Sequence, residues 1–288
     1  MGYFEDDKKR IEEQIGKTIK LFVEAQNYYD NGEYQQAAGK FRLASLPQDV
    51  STEYNWGVCF AHQKEINDHM KWALYFMEKA ASQGYQSAES ALVGFYYGGI
   101  DDFESDYEKA YVYAKKAAVH ENSTAYLVLA HLYYEGKFVE ENKEKAYELY
   151  KKSVKCSVDN NQPFAYFRLG MMSYMGEGTE IDYYDAREYF EKYISKIPGY
   201  KLAEATARYY LGVMNLEGQG GKRNLQKAYE YFIKSEQDDK DNRCEYWIGI
   251  LSLVFEGDKE KANKWLKMSA EGGNSAAIEY LNSGATQN

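Results

Sequence analysis

The chain has 288 residues, of which 44% are apolar and 28% are charged, so it can bury substantial cores and is expected to be globular. Its net charge is −10, and only seven of its 35 cationic residues are Arg, which argues against a nucleic-acid-binding surface. No apolar run approaches the roughly 20 residues of a membrane-spanning helix, so no membrane partner is expected.

The N-terminus and the cysteines indicate the compartment. Residues 1–7 show no basic region, apolar stretch or cleavage site of an export signal. Cys59, Cys156 and Cys244 are odd in number and far apart, which favours reduced thiols over a disulfide framework. Both observations predict a cytoplasmic protein.

The first predicted helix covers about residues 6–30 and is rich in charged residues at its start. It is expected to cap the N-terminal end of the fold. A pattern of small and aromatic residues overlaps its end and continues beyond it: Ala25, Tyr28, Gly32, Tyr34, Ala37, Phe41 and Ala44.

From about residue 52 onward the chain is repetitive. Each of six repeats contains a small residue preceded by an apolar one: Trp56-Gly57, Val93-Gly94, Leu129-Ala130, Leu169-Gly170, Leu211-Gly212 and Ile248-Gly249. An alanine follows 16 residues later in the first five repeats, and Ala262 follows after 13 in the sixth. A recurrence of this length is typical of repeat architectures.

Each of these alanines opens a helix with one apolar face, as Tyr113, Ala114 and Ala117 show after Ala110. In five repeats a helix-capping side chain stands four residues before the alanine: Asp106, Asn142, Asp182, Asn224 and Asp258. A shorter apolar helix surrounds each small residue, which is expected to let two helices approach closely. Turn glycines fall between the two helices: Gly136, Gly176, Gly178, Gly218 and Gly220. The predicted unit is a helical hairpin.

These residues resemble the Sel1-like repeat family, most fully at Leu169, Gly170, Gly176, Gly178, Asp182, Ala186, Tyr189 and Phe190. The predicted repeats and the helix that caps them cover about 52–85, 86–122, 123–160, 162–200, 203–238, 241–272 and 274–282. The pattern before residue 50 resembles a tetratricopeptide repeat instead, so residues 1–50 are expected to form a capping helix and one hairpin. Residues 283–288 are expected to be a tail.

The resemblance implies the fold. Since one hairpin cannot bury its apolar face alone, neighbouring hairpins must stack. The expected architecture is an all-α, right-handed α-solenoid of about seven stacked helical hairpins, with a concave and a convex side.

No catalytic, metal or cofactor site is predicted. The four histidines never pair with Cys or Glu at metal-ligand spacing. Gly176-Glu177-Gly178 and Gly218-Gln219-Gly220-Gly221 lack the preceding strand and the following Lys-Ser/Thr pair of a phosphate loop, so they are interpreted as turns. No Gly-x-Ser-x-Gly elbow occurs. The chain is therefore predicted not to be an enzyme and to need no small-molecule substrate.

A partner-binding surface is predicted by resemblance to the tetratricopeptide arrangement, which turns chosen positions around each small residue toward the concave side. The predicted positions are mainly aromatic: Tyr54, Phe95, Leu127, His131, Tyr134, Phe167, Arg168, Met171, Tyr174, Tyr209, Tyr210, Tyr246 and Trp247. Such a composition is typical of adaptable protein-binding grooves. The alternative is that several of these residues belong to the core between helices.

The sequence thus predicts a non-catalytic adaptor or scaffold that binds another protein or peptide. A cytoplasmic immunity protein that inhibits a toxin enzyme is the alternative, because a curved surface can cover an active site. A hydrolase of the secreted Sel1-like type is less favoured, since it would need paired cysteines in each repeat and an export signal.

Overall fold

The computed structural model describes residues 50–62, 69–99, 103–157, 162–196, 200–239 and 242–283, with single residues and short runs between 13 and 43. The predicted N-terminal cap and tetratricopeptide-like hairpin, and the last five residues of the predicted tail, lie largely outside the described residues.

Thirteen α-helices follow one another in the described chain from residue 50 onward, and no sheet strand occurs there. They are α1 (Val50–His62), α2 (His69–Ser82), α3 (Gln86–Gly98), α4 (Tyr107–Ala118), α5 (Ser123–Glu135), α6 (Lys143–Cys156), α7 (Pro163–Met175), α8 (Tyr183–Lys196), α9 (Lys201–Glu217), α10 (Leu225–Asp238), α11 (Asn242–Glu256), α12 (Lys259–Glu271) and α13 (Ser275–Asn282). The predicted all-α class is confirmed.

The helices pair as predicted, with α1 packing on α2, α3 on α4, α7 on α8, α9 on α10 and α11 on α12. Each odd-numbered helix from α1 to α11 is the first helix of a hairpin, and α13 follows the last hairpin. The chain divides into two compact units, Met1–Leu129 and Ala130–Asn288.

In the first unit, the core of the α1–α2 hairpin contains Phe60 and Phe76, whose rings stack with centroids 5.8 Å apart. Gly57 lies where α1 crosses α2, and a Cβ there would stand 2.5 Å from Cγ of Met77. The predicted role of Gly57 in close helix approach is confirmed.

The sequence predicts the same close helix approach at Gly94, and this prediction is wrong. The buried position lies one residue earlier, at Val93. Gly94 is exposed, with open space where its Cβ would be, whereas Leu92, Val93 and Tyr96 are buried. Burying Leu92 and Val93 removes more apolar surface from water than burying a glycine, so α3 is rotated to place Val93 at the packed position.

In the second unit, small residues again lie under large side chains of the second helix. A Cβ on Gly170 would stand 2.7 Å from the Phe190 ring, and one on Gly212 would stand 2.6 Å from the Phe232 ring. Both rings are fully buried. The predicted close approach is confirmed for these hairpins.

The five predicted helix caps are confirmed. In each case a side-chain oxygen accepts a hydrogen bond from the backbone N–H three residues later, at 2.8 to 3.0 Å: Asp106, Asn142, Asp182, Asn224 and Asp258. Such caps satisfy amides that the helix itself leaves unpaired, and each contributes about 1 kcal/mol.

The glycine loops have a packing role as well as a conformational one. Gly178 and Gly220 have φ of +69° and +63°, in the left-handed region. A Cβ on Gly178 would stand 2.6 Å from the backbone N of Glu144, and one on Gly220 would stand 2.5 Å from the carbonyl carbon of Tyr183. The loops of the α7–α8 and α9–α10 hairpins therefore rest directly on the start of the second helix of the preceding hairpin.

Candidate functional site

All thirteen predicted partner-binding residues lie on first helices of hairpins, and every one is half-buried. Tyr54, Phe95 and Leu127 belong to the first unit, and the other ten belong to the second. The structure therefore divides the predicted set between two units, each of which is described by itself.

In the first unit, Tyr54 packs against Tyr85, with ring centroids 5.4 Å apart. It lines a cavity of about 470 Å³ together with polar residues of α3 and the α4–α5 connection. Asn122 Nδ2 donates to Ser90 Oγ across this cavity at 2.7 Å. The residues that line this cavity do not indicate which class of ligand it would bind.

Phe95 has a different register from the one predicted. Because Val93 rather than Gly94 is the buried residue at this point of the repeat, Phe95 lies two residues after the buried position instead of one. It is therefore not equivalent to His131 or Met171, each of which follows its small residue directly. Leu127 is half-buried on α5.

In the second unit, His131 and Tyr150 form a close pair, with Nδ1 of His131 2.8 Å from the Tyr150 hydroxyl. Burial, and then the charge of Arg168, lower the pKa of His131 to about 4. The imidazole is consequently neutral at physiological pH. It positions Tyr150 and presents no positive charge on this surface.

Tyr134 and Arg168 belong to a cluster organised by Glu177. The Tyr134 hydroxyl donates to Glu177 Oε2 at 2.7 Å, and Lys143 Nζ donates to Glu177 Oε1 at 2.6 Å. The bonds from Lys143 and Tyr134 lower the pKa of Glu177, so it stays ionised. Sequence reasoning missed Glu177, because its position between two turn glycines indicated only a loop. The guanidinium carbon of Arg168 lies 5.1 Å from the Tyr134 ring centroid.

The predicted residues of α7, α9 and α11 are brought together as a continuous row of rings. Tyr174 contacts Tyr210 at 4.7 Å between centroids, Tyr210 contacts Tyr209 at 5.4 Å, and Trp247 contacts Tyr246 at 5.0 Å. Tyr209 and Trp247 are joined through the buried Phe232, at 6.0 and 6.3 Å. We call Tyr174, Tyr209, Tyr210, Tyr246 and Trp247 the aromatic strip.

The aromatic strip is supported from behind by the core. Tyr210 stacks on Phe190 with an interplanar angle of 5°, and Trp247 stacks on Phe232 with an angle of 14°. Phe167 and Met171 pack against the same core, which contains Phe190. Tyr210 and Trp247 therefore pack on the core while they remain partly exposed to solvent.

Burial raises the pKa of the Tyr174 hydroxyl to about 12, so this tyrosine is neutral across the physiological range. A neutral hydroxyl both donates and accepts hydrogen bonds. The aromatic strip thus offers apolar rings with polar edges, as protein-recognition surfaces commonly do.

Within the described part of the chain, no three His, Cys, Asp or Glu side chains are grouped as metal ligands. None of the described helices is both long and apolar enough to span a bilayer.

A family model described as Sel1 repeat matches six segments: 51–85, 91–118, 123–157, 163–194, 205–237 and 244–274. These segments make up more than half of the chain. The chain belongs to the Sel1 repeat family. The matched segments begin within five residues of the predicted repeats, and all six end within six residues of them, which confirms the resemblance found in the sequence.

Solved structures agree with this assignment. The chain is similar to c5321, a protective antigen of uropathogenic Escherichia coli strains with an SLR fold, at 25% identity and a TM-score of 0.67, covering 93% of this chain. It spans 57% of that protein's length. It is also similar to a Sel1 repeat protein from Oxalobacter formigenes, at 23% identity and a TM-score of 0.56, covering 92% of this chain and 76% of the other. A search of curated proteins found no match.

Sel1 repeat proteins are typically protein-interaction scaffolds and are generally non-catalytic.

Proposed function

We propose that this Sel1 repeat protein is a non-catalytic adaptor or scaffold, and that it binds another protein or peptide on the aromatic strip. The observation that carries the proposal is the row of five half-buried aromatic side chains on three successive first helices of the second unit. Trp and Tyr are the residue types most enriched among the energetically dominant residues of protein interfaces.

The packing of the strip supports this role. Rings already held by Phe190 and Phe232 lose little side-chain entropy when a partner covers their outer face. A preorganised surface of this kind binds more tightly than a flexible one of equal area. Exposed apolar side chains elsewhere in the unit, such as Leu202 and Tyr184, are not held between rings of successive first helices in this way.

A photo-crosslinking experiment tests the proposal. Benzoylphenylalanine placed at Tyr246 is expected to crosslink a discrete partner in cells, because this ring is half-buried in the strip and contacts Trp247. Tyr184, which is 68% exposed on the second helix α8, is the matched control position and should give no discrete product.

With the partner in hand, Tyr246→Ala is expected to weaken binding by at least tenfold, since a central aromatic residue contributes about 2 kcal/mol or more. Tyr184→Ala should leave affinity unchanged. Titration calorimetry measures both. Crosslinks confined to position 184, or full affinity after Tyr246→Ala, would assign the partner to a different face.

The proposed compartment is the cytoplasm, and the thiols test it. Cys156 and Cys244 are free, and Cys244 is buried with its Sγ 3.3 Å from Ser235 Oγ. Titration of the denatured, unreduced protein with a thiol reagent is expected to give three free thiols per chain, matching the three cysteines. A count of one would indicate a disulfide and an oxidising compartment.

A further inference from the structure

A pocket of about 440 Å³ lies between the beginnings of α7 and α9 in the second unit. Its accessible surface is almost entirely apolar. The described lining residues are Phe167 on α7, Tyr200 directly before α9, and Lys201, Leu202, Ala203 and Thr206 on α9. A volume of this order is within the range of protein ligand sites, which hold mainly apolar groups.

The walls of the pocket expose large apolar side chains as a group. Leu202 is 69% exposed, Tyr200 is 50% exposed, and Phe164 beside them is 37% exposed. The Phe164 ring meets the Tyr200 ring edge to face, with centroids 4.6 Å apart. Single exposed apolar residues are ordinary, but a group of them around a cavity is typical of an interaction site.

The pocket and the aromatic strip lie on one face of the α7–α9 pair. Tyr174 follows Phe167 by seven residues on α7, and Tyr210 follows Thr206 by four residues on α9, spacings that keep each pair on one helix face. Tyr174 and Tyr210 contact each other, and Phe167 packs against the same core as both. At 1.5 Å per residue, the pocket is roughly 6 to 10 Å from this ring pair along the helices.

The rim of the pocket carries a positive charge. Lys201 is exposed and is the only charged side chain among the described lining residues. Glu204, the nearest acidic residue along α9, is buried and pairs with Arg208 at 3.1 Å. Because Glu204 already has this partner, the Lys201 ammonium leaves the rim positive, which favours a carboxylate over a cation in the molecule that binds there.

We propose that this pocket is the anchor site for a peptide segment of the partner, and that it takes one bulky apolar side chain such as Leu, Met or Phe. An acidic residue beside this anchor pairs with Lys201. A second apolar side chain, two or three residues away, covers Tyr174 and Tyr210, since an extended chain advances about 3.3 Å per residue. This inference rests on the proposed function, because it names the partner chemistry for the same face.

Selection from a random twelve-residue peptide library tests the proposal without knowledge of the natural partner. Peptides that bind the immobilised full chain are sorted by whether they also bind Tyr246→Ala and the pocket-filling variant Thr206→Trp. The new indole should occupy the pocket and block the anchor. We expect the peptides lost on Tyr246→Ala to be lost on Thr206→Trp as well. They should share a bulky apolar residue next to Asp or Glu, with a second apolar residue two or three positions away.

The selection separates two failures. Peptides lost on Tyr246→Ala but retained on Thr206→Trp, or peptides whose shared residues are basic, would overturn the inference and leave the proposed function standing. If no peptide distinguishes Tyr246→Ala from the unchanged protein, the proposed function fails and the inference fails with it. Gln237→Trp, which adds the same ring at an exposed position of α10, should retain every peptide. Circular dichroism verifies that each variant is folded.

Truncating the pocket wall is a second measurement. For the most enriched peptide, labelled with fluorescein, Leu202→Ala is expected to raise Kd about tenfold in fluorescence polarisation. Ile278→Ala removes the same number of carbon atoms from an exposed position of α13 and should raise Kd less than twofold. Equal effects of the two variants would overturn the assignment of the pocket.

A double-mutant cycle locates the anchor. Replacing the apolar anchor of the peptide by alanine should weaken binding to the unchanged protein about tenfold, and binding to Leu202→Ala distinctly less, because both changes remove the same contact. Additive losses would place the anchor outside the pocket and overturn the proposal.

The charge at the rim is tested by Lys201→Gln. It is expected to raise Kd about two- to fivefold at low salt, because an exposed ion pair contributes at most about 1 kcal/mol. Lys222→Gln removes the same charge from an exposed position of the α9–α10 loop and should leave Kd unchanged. Equal Kd values for Lys201→Gln and Lys222→Gln would overturn the acidic residue beside the anchor.

Discussion

Gly220→Ala is expected to destabilise the second unit by about 2–5 kcal/mol. The new Cβ would stand 2.5 Å from the carbonyl carbon of Tyr183 and 2.9 Å from the backbone N of Tyr184. Backbone at the start of α8 cannot move aside as a flexible side chain can, so overpacking of about 1–3 kcal/mol adds to a left-handed penalty of about 1–2 kcal/mol. Urea unfolding followed by circular dichroism measures the loss.

Gly257→Ala is the matched control for this prediction. Gly257 has φ of +62°, almost the same as Gly220 at +63°, but open space surrounds the position of its Cβ. It should therefore show the conformational penalty alone, about 1–2 kcal/mol. Equal losses for the two variants would mean that the loop glycine does not hold neighbouring hairpins together.

Phe190→Ala is expected to cost about 3–5 kcal/mol of unfolding free energy in the same unit. Phe190 is fully buried, its ring covers Gly170, and its other neighbours include Tyr210, at a centroid distance of 5.8 Å. Deleting the ring leaves a cavity at the crossing of α7 and α8. It also removes the support of the aromatic strip, so partner binding should weaken at temperatures where the variant is still folded.

Lys151→Ala serves as the control for Phe190→Ala. Lys151 is exposed on α6, and its ion pair with Glu148 spans 3.5 Å at the surface, where such pairs contribute little. The melting temperature of the Lys151→Ala variant should stay close to that of the unchanged protein. A Phe190→Ala variant with the same melting temperature would show that the hairpin core lies elsewhere.

The double role of the aromatic strip affects how its variants are interpreted. Because Tyr210 and Trp247 stack on core rings, replacing either by alanine would lower both affinity and stability. The sequence presented binding and core packing as alternatives for these residues. In the structure Tyr210 and Trp247 pack on core rings and are nevertheless only half-buried. Tyr246 separates the two effects best, because its aromatic contact is with Trp247 rather than with a buried ring.

Much of the architecture follows from the sequence alone. Helical periodicity, capping residues such as Asn224 and small residues such as Gly212 act over a few positions or recur at constant spacing. A pattern of that kind predicts local structure without knowledge of contacts between residues that are far apart in the sequence. It predicted the hairpins, their caps and the first helices as the carriers of the candidate surface.

Only the tertiary structure decided the register of α3, the partners of Glu177 and the contact between Arg168 and Tyr134. In α3, Val93 and Gly94 are both compatible with the repeat, and competition for burial against α4 selects Val93. Glu177 meets Tyr134 across 43 positions of sequence, and Arg168 reaches the same ring from the next hairpin. These contacts depend on how successive hairpins stack. Stacking brings together side chains that are far apart in the sequence, and a local sequence pattern does not predict which of them meet.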